Sequence, residues 1–410
     1  MKKLMIIGLV MMMFLTSCSP KTSIVESEVK FDENVVADVN THVETSIAAS
    51  NEMGLELVKD FLSKKDENVL FSPTSLSFAL AMLQNGAESD TKEAILKVMK
   101  DQENGLNERY NELINYLNGL ESSDEPSIKM TIANSFWLKE SIEPKAKFVN
   151  SLSEFYNAEV YSEDFKDPET VDKMNLWVEE KTNHLLKDTL DEISEDAISY
   201  LMNTVYFKGT WRSEFYKGNT KLEPFYGNET AKVDMMHKRD SMSYYEDDSC
   251  QAASMRYYGN SSMFVILPKG NLESYLDDLD YSDIDKMLDD MSYQELNISF
   301  PKLDYMTKNP LKDVLSEKGM AQSFSELEAD FSEMIEVKDQ NVYISDIFQN
   351  ARIIVDEEGT EAAAVTVVEV ECTSAMPSEP IDFTCNKPFI YIIREEGSNA
   401  ALFIGVVKQP

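Results

Sequence analysis

Histidine, cysteine and positive charge are all scarce in this 410-residue sequence, and each scarcity removes a class of function. The three histidines are His42, His184 and His237. None belongs to an HExxH pair, and neither a GxSxG elbow nor a Gly-rich phosphate loop occurs. The 74 aspartates and glutamates offer carboxylates in plenty, but such abundance singles out no acid–base pair. No ligand-spaced cluster stands for a metal or another cofactor, so neither is expected, and a hydrolase has almost no motif behind it. Long apolar runs are nearly absent too. Leu4–Leu15 is the clear one, and it sits at the start, behind Lys2 and Lys3.

The four cysteines are Cys18, Cys250, Cys372 and Cys385, with no CxxC among them. Beyond Cys18 three remain, and an odd number cannot all pair internally. One disulfide is possible and nothing demands it; Cys250 and Cys385 are expected to behave as small buried hydrophobes. The charge balance, 38 basic against 74 acidic residues, gives −36. Nucleic acid is thereby disfavoured as a partner. The stretch 101–125 is mainly acidic and polar, so a basic groove for a heparin-like activator is not expected.

The N-terminal run is too short for a spanning helix and reads as a secretory leader. The "LTSC" that follows it, Leu15–Cys18, resembles a bacterial lipobox. Residues 1–17 would then be a lipoprotein signal peptide and Cys18 the acylated mature terminus, giving a membrane partner through the lipid anchor. An ordinary leader with an incidental cysteine is the alternative. The region 18–45 is polar without a strong period and is expected as a tether, its 27 residues after Cys18 reaching roughly 30 Å. Ser19 resembles the outer-membrane default, which places the protein across the inner membrane, facing the periplasm or the cell surface. Residues 46–410 then form one domain, expected as a monomer.

Within that domain, Met53, Leu57 and Phe61 mark a helix over Ile47–Ser63. Val69–Phe71 reads as a strand, followed by a helix with Ser72 as N-cap, Pro73 in the first turn and Gly86 as stop. Ser89 is expected to cap another helix through Met99. Ile128–Leu138 and Ile198–Phe207 read as long, largely buried strands. Met263–Leu267, Leu296–Phe300, Phe389–Ile393 and Leu402–Val407 read as shorter ones. Strands and helices intermix without regular βαβ alternation, which indicates an α+β fold.

The stretch "DEEGTEAAAVTVVEVECTSAMP", Asp356–Pro377, stands apart: rich in small residues, free of basic ones and poor in turn signals. Its "EEGTEAAAVT" resembles the hinge of inhibitory serpins. The resemblance extends through "NVLFSPTSLSFALAMLQNGAESDTKEAI", "NLWVEEKTNHLLKDTL", "LMNTVYFKGTWRSEF", "VDMMHKR", "FPKLDYMTKNPLKDVLSEKGM" and the closing "FTCNKPFIYIIREEGSNAALFIGVVKQP", all in the family's order. It implies a serpin fold: a large mixed central β-sheet with two smaller sheets, surrounding helices and an exposed reactive-centre loop at about 359–382. It also implies a non-enzyme, a suicide-substrate inhibitor that forms a covalent acyl-enzyme with a target protease and then inserts its cut loop into the central sheet. A non-inhibitory serpin acting as a binding or carrier protein at the cell envelope is the alternative.

The residues of the loop support insertion independently. If Thr360–Cys372 forms a strand, its side chains alternate between faces. The charges Glu361, Glu369 and Glu371 all fall on one face. The other carries Thr360, Ala362, Ala364, Thr366, Val368, Val370 and Cys372, small or apolar throughout. No proline, which a central strand tolerates poorly, occurs before Pro377. An amphipathic edge strand or a short helix would satisfy the same pattern.

By the resemblance, the hinge is Glu358, Gly359, Thr360, Glu361, Ala362, Ala363, Ala364 and Thr366. Ser72, Ser75 and Asn203 match the shutter beneath the point where the sheet opens. Gln349 stands where many members carry a histidine. Counting from Gly359 puts the reactive bond at Thr373–Ser374, while counting back from "NKPF" favours Met376–Pro377; Cys372–Thr373 and Ser374–Ala375 stay open. No Lys or Arg lies between Arg352 and Lys387. A trypsin-like pocket, with its buried carboxylate, lacks its cation here. An elastase-like serine protease or a papain-like cysteine protease fits better. Trp137 and Trp211 are expected as packing residues.

Overall fold

A computed structural model describes residues 22–31, 39–120, 128–194, 197–335, 342–360 and 379–410. Its strands are β1 (Val69–Phe71), β2 (Ile128–Lys139), β3 (Glu159–Glu163), β4 (Ser199–Thr210), β5 (Lys221–Tyr226), β6 (Thr230–Glu246), β7 (Cys250–Arg256), β8 (Ser261–Pro268), β9 (Ser292–Pro301), β10 (Leu303–Pro310), β11 (Phe348–Val355), β12 (Gly359–Thr360), β13 (Ile381–Thr384), β14 (Phe389–Glu395) and β15 (Ala401–Val407). The longer helices are α1 (Thr41–Lys64), α2 (Pro73–Gln84), α3 (Ser89–Met99), α4 (Leu106–Asn118), α5 (Ala146–Tyr156), α6 (Glu169–Lys181), α7 (Leu272–Asp278) and α8 (Tyr281–Asp289).

Two mixed sheets form the frame. One runs β10–β11–β12–β4–β2–β3, and the other runs β1–β15–β14–β8–β7–β6–β9–β13 with β5 paired to β6. The two smaller sheets of the expectation are therefore one continuous nine-stranded sheet. The 17-residue β6 joins them, pairing with β7 near one end and with β5 and β9 along the rest. Residues of β8, β14 and β15 are buried on both faces, which is why they read as continuous apolar runs rather than as alternation. Strand β4 alternates buried and half-buried positions over most of its length, so it is less enclosed than its apolar composition indicated.

Helix α2 follows the capping rule. The Ser72 hydroxyl accepts from Ser75 N–H at 3.2 Å, and Pro73 occupies the first turn, where no N–H is needed. Three expectations need correction. Helix α1 starts at Thr41, inside the expected tether, because the Asn40 side chain accepts from His42 N–H and Val43 N–H at 2.9 and 3.2 Å. Part of the same tether lies against the sheet: Val25 N–H donates to Val160 O at 2.8 Å, and Ser162 N–H donates to Ser23 O at 2.9 Å. The outer edge of β3 has unpaired backbone groups to satisfy, and this segment satisfies them. Ser89 does not cap α3; it is the first helical residue, and its hydroxyl donates to Asp330 at 3.0 Å. Cys250 and Cys385 are free and buried, as expected. Trp137 and Trp211 are fully buried.

Candidate functional site

Strand β12 is two residues long and lies between β11 and β4, antiparallel to both. Thr360 pairs with Val355 on one side and Gly209 on the other. The turn from β11 to β12 is closed by Asp356. Its N–H donates to Gly359 O at 2.9 Å, and its carboxylate accepts from Glu358 N–H at 2.9 Å and Gly359 N–H at 3.2 Å. Glycine is required at 359 by close approach: a Cβ there would lie 2.1 Å from Gly209 O.

The chain that follows β4 wraps this root. Trp211 N–H donates to Glu358 O and Phe215 N–H to Glu357 O, both at 2.9 Å; Trp211 Nε1 donates to Asp356 O at 3.0 Å. The Trp211 ring stacks on Tyr257 with centroids 4.3 Å apart and planes 9° apart. Tyr257, also buried, places its hydroxyl 2.6 Å from Thr360 Oγ1. Burial pushes the Tyr257 phenol well up, so it stays neutral and keeps a proton to share.

Three consecutive acids sit at this root. Glu357 is buried, and Lys302 Nζ and Thr220 Oγ1 lie 2.7 and 2.6 Å from its carboxylate. Burial alone would raise its pKa, but Lys302 and Thr220 outweigh burial and hold it below the usual carboxylate value. Glu358 pairs with Lys217. Asp356 is pushed up, chiefly by burial; its two N–H donors oppose this and the charges of Glu358 and Glu357 add to it.

The polar cluster lies below, at the N-terminus of α2. Gln349 on β11 grips the Ser72 backbone twice: its Oε1 accepts from Ser72 N–H at 2.7 Å, and its Nε2 donates to Ser72 O at 3.0 Å. The Ser72 hydroxyl caps Ser75, whose own hydroxyl donates to Asn203 on β4. Asn203 Nδ2 donates to Asn134 on β2, and Asn134 Nδ2 donates to Tyr156 O at 3.0 Å. Strands β11 and β4 flank β12. The bonds from Gln349 through Ser72 and Ser75 to Asn203 therefore tie together, from beneath, the two strands that must part if more of the loop enters.

The four expected shutter residues thus form one network, and the expected hinge residues Glu358, Gly359 and Thr360 form the root. Glu361, Ala362, Ala363, Ala364 and Thr366 lie outside the described residues, as do Cys372, Thr373, Ser374, Ala375, Met376 and Cys18. The expected loop, 359–382, is bounded more tightly: Gly359–Thr360 and Ile381–Thr384 are strands, the latter pairing in parallel with β9. Sequence reading missed Tyr257, Asn134 and Asp356. Asn134 had a signal, being an amide within the largely apolar run 132–138, where a buried amide needs a partner.

A sequence model described as "Serpin (serine protease inhibitor)" matches residues 48–410. An uncharacterized serpin-like protein of Methanosarcina acetivorans is 32% identical, covering 100% of this chain and 99% of its own. Human corticosteroid-binding globulin is 30% identical, covering 91% of this chain and 92% of its own. Among solved structures, the thermophilic serpin tengpin in its native state superposes with a TM-score of 0.81 at 28% identity, covering 93% of this chain and 98% of its own. Members of the matched family are in general protease inhibitors rather than catalysts. With the loop root, the polar cluster and the two sheets in place, the chain belongs to the serpin family.

Proposed function

We propose that this protein is a suicide-substrate inhibitor that traps a protease as an acyl-enzyme by inserting its cut loop between β11 and β4. The observation that carries the reading is the position of Thr360. It is the first residue of the small-faced set, it is buried, and it already pairs antiparallel with both flanking strands. Insertion of the following residues continues a ladder that has begun, in the register that turns Ala362, Ala364 and Thr366 inward.

The energy is of the right size. About fourteen residues entering a sheet centre form ~14–28 backbone hydrogen bonds worth ~0.5–1.5 kcal/mol each net. The low end, near ~10 kcal/mol, matches the ~5–15 kcal/mol that holds a typical domain folded, so local distortion of a captured protease is within reach.

The loop's composition selects an elastase-like serine protease or a papain-like cysteine protease, with the cut at Thr373–Ser374. The protein acts at a bacterial membrane, held by a lipidated Cys18. A carrier function is the competing reading, since human corticosteroid-binding globulin is among the relatives. Incubation with a protease panel tests both. Expected are a covalent adduct stable to denaturing electrophoresis, a mass consistent with cleavage at Thr373–Ser374, and a large rise in melting temperature after loop cleavage. A cleaved protein that melts no higher than the intact one, with no adduct to any protease, refutes the inhibitory reading.

A further inference from the structure

Between the end of α1, strand β10 and the C-terminal residues lies a cavity of about 500 Å³. Cavities of roughly 300–1,000 Å³ hold small organic molecules. The apolar part of its lining is Phe61, Val69, Tyr305, Met306, Pro310 and Val314. Most polar groups beside them are already paired; the side-chain amide of Gln409, buried in the same wall, has no partner at Nε2 or Oε1 among the described residues. Thr307 Oγ1 and Asn309 Nδ2 donate to Leu70 O at 2.8 and 2.7 Å, and the Tyr305 hydroxyl meets that of Tyr391 at 2.8 Å. Asn68 is bonded through both ends of its amide to the backbone of Lys408 and Gln409. A molecule resting here meets carbon, paired polar groups and the one open amide of Gln409, so its body must be mainly apolar.

The remaining wall is rich in lysine for so acidic a chain: Lys64, Lys65, Lys308 and Lys408 all line it. Three are engaged. Lys64 pairs with Glu317 at 2.8 Å, Lys308 with Asp191 at 3.6 Å, and Lys408 with Asp66 and Glu273. Lys65 is exposed and has no ion pair among the described residues. Two features oppose negative charge: the wall acids Asp66, Glu67 and Asp313, of which Asp66 is paired with Lys408, and the carbonyl end of α1. The balance favours one negative charge beside Lys65 and opposes two.

We propose that this cavity binds an amphipathic monoanion, with an apolar body against Phe61, Val69, Tyr305 and Val314 and a carboxylate or sulfonate at Lys65. The site shares no residue with the loop root or the polar cluster.

The test is a titration of the full chain with anilinonaphthalene sulfonate, followed by displacement with dodecanoate or with dodecyltrimethylammonium, which carries the same tail and the opposite charge. Expected is one saturable site per chain, from which dodecanoate displaces the dye about tenfold better than the cation does. Lys65→Glu weakens dodecanoate about fivefold. Met306, 45% exposed, is part of the lining, and Met306→Trp places an indole there and abolishes binding. Both changes are on the surface, and an unchanged melting temperature verifies the fold. Equal displacement by the two amphiphiles, or unchanged dodecanoate affinity in either variant, overturns the proposal.

Discussion

The hydroxyl of Tyr257 meets that of Thr360 at 2.6 Å, beneath the stacked ring of Trp211. Thr360 is therefore part of the sheet before any cleavage, and the space it occupies fits a methyl and a hydroxyl. Thr360→Arg brings a guanidinium to a buried position whose side-chain partner is the neutral Tyr257 hydroxyl, and a buried charge without a counter-charge costs several kcal/mol. The side chain must stay outside, and the strand behind it with it. The variant is expected to be cut in its loop by a protease that the parent traps, to give no covalent adduct, and to gain no melting temperature on cleavage. Adducts at the parental stoichiometry would show that docking of Thr360 is irrelevant to trapping.

Asn203 holds two neighbours at once. Asn203→Ala leaves the Ser75 hydroxyl and the Asn134 carbonyl oxygen without their partner, inside a cluster where Ser75 and Asn134 are nearly fully buried. Stranding buried polar groups costs about 1–3 kcal/mol. Denaturant unfolding should show a loss of that size. The same change weakens the tie between β4 and α2, so spontaneous loss of inhibitory capacity on warm incubation should be faster. A variant of parental stability that inactivates no sooner would mean that the network does not restrain the strands.

How much of this was legible in the sequence depended on whether local chemistry or a distant partner decided the outcome. Ser72 with Pro73 is a local signal, and the helix began where that pair placed it. Apolar runs located β1 and β2 to within a residue. Strand β6 went unread because its residues are largely polar; it is a strand because β5, β7 and β9 pair with it. The start of α1 was hidden for a similar reason. Asn40 is a good cap, but Val43 and Ile47 alone make too weak a stripe to mark a helix ahead of Met53. At the candidate site, family resemblance supplied Ser72, Ser75, Asn203 and Gln349, whereas Tyr257 and Asp356 act only through the turn that brings Thr360 back beside Val355.

Lys302 and Glu357 make the loop root sensitive to pH. Glu357 is held below its ordinary value, so its stabilising effect is present above about pH 4.5 and is lost as pH falls through its lowered pKa. Asp356 is raised by burial and by the charges of Glu358 and Glu357, so its protonation stabilises the native state as pH falls through its raised pKa. Lys302→Met removes the cation, and burial then prevails at Glu357 and raises it. The variant is expected to lose about 1–3 kcal/mol at pH 7 and to regain it on acidification as Glu357 takes a proton. Melting temperatures of parent and variant between pH 7 and pH 4 should converge at the acid end. Parallel curves would mean that the pair contributes nothing at the root.

Gln349 offers the sharpest test of the cluster, because its amide both accepts from Ser72 N–H and donates to Ser72 O without a charge to gain. Gln349→His supplies an acceptor and a donor only while the imidazole is neutral. On protonation both ring nitrogens become donors, and Ser72 N–H loses its acceptor. The folded state therefore holds this histidine's pKa below the unfolded value of about 6.5. Its stabilising effect is complete above that pH and declines as pH falls toward the folded pKa, at up to about 1.4 kcal/mol per pH unit. Subtracting the parent's stability from the variant's between pH 8 and pH 5 isolates the effect from the chain's many carboxylates. The difference should be flat above pH 7 and fall below it, and adduct formation should change over the same interval. A difference that stays level throughout would mean that the side chain at 349 does not restrain Ser72, and that the polar cluster does not tie β11 to β4.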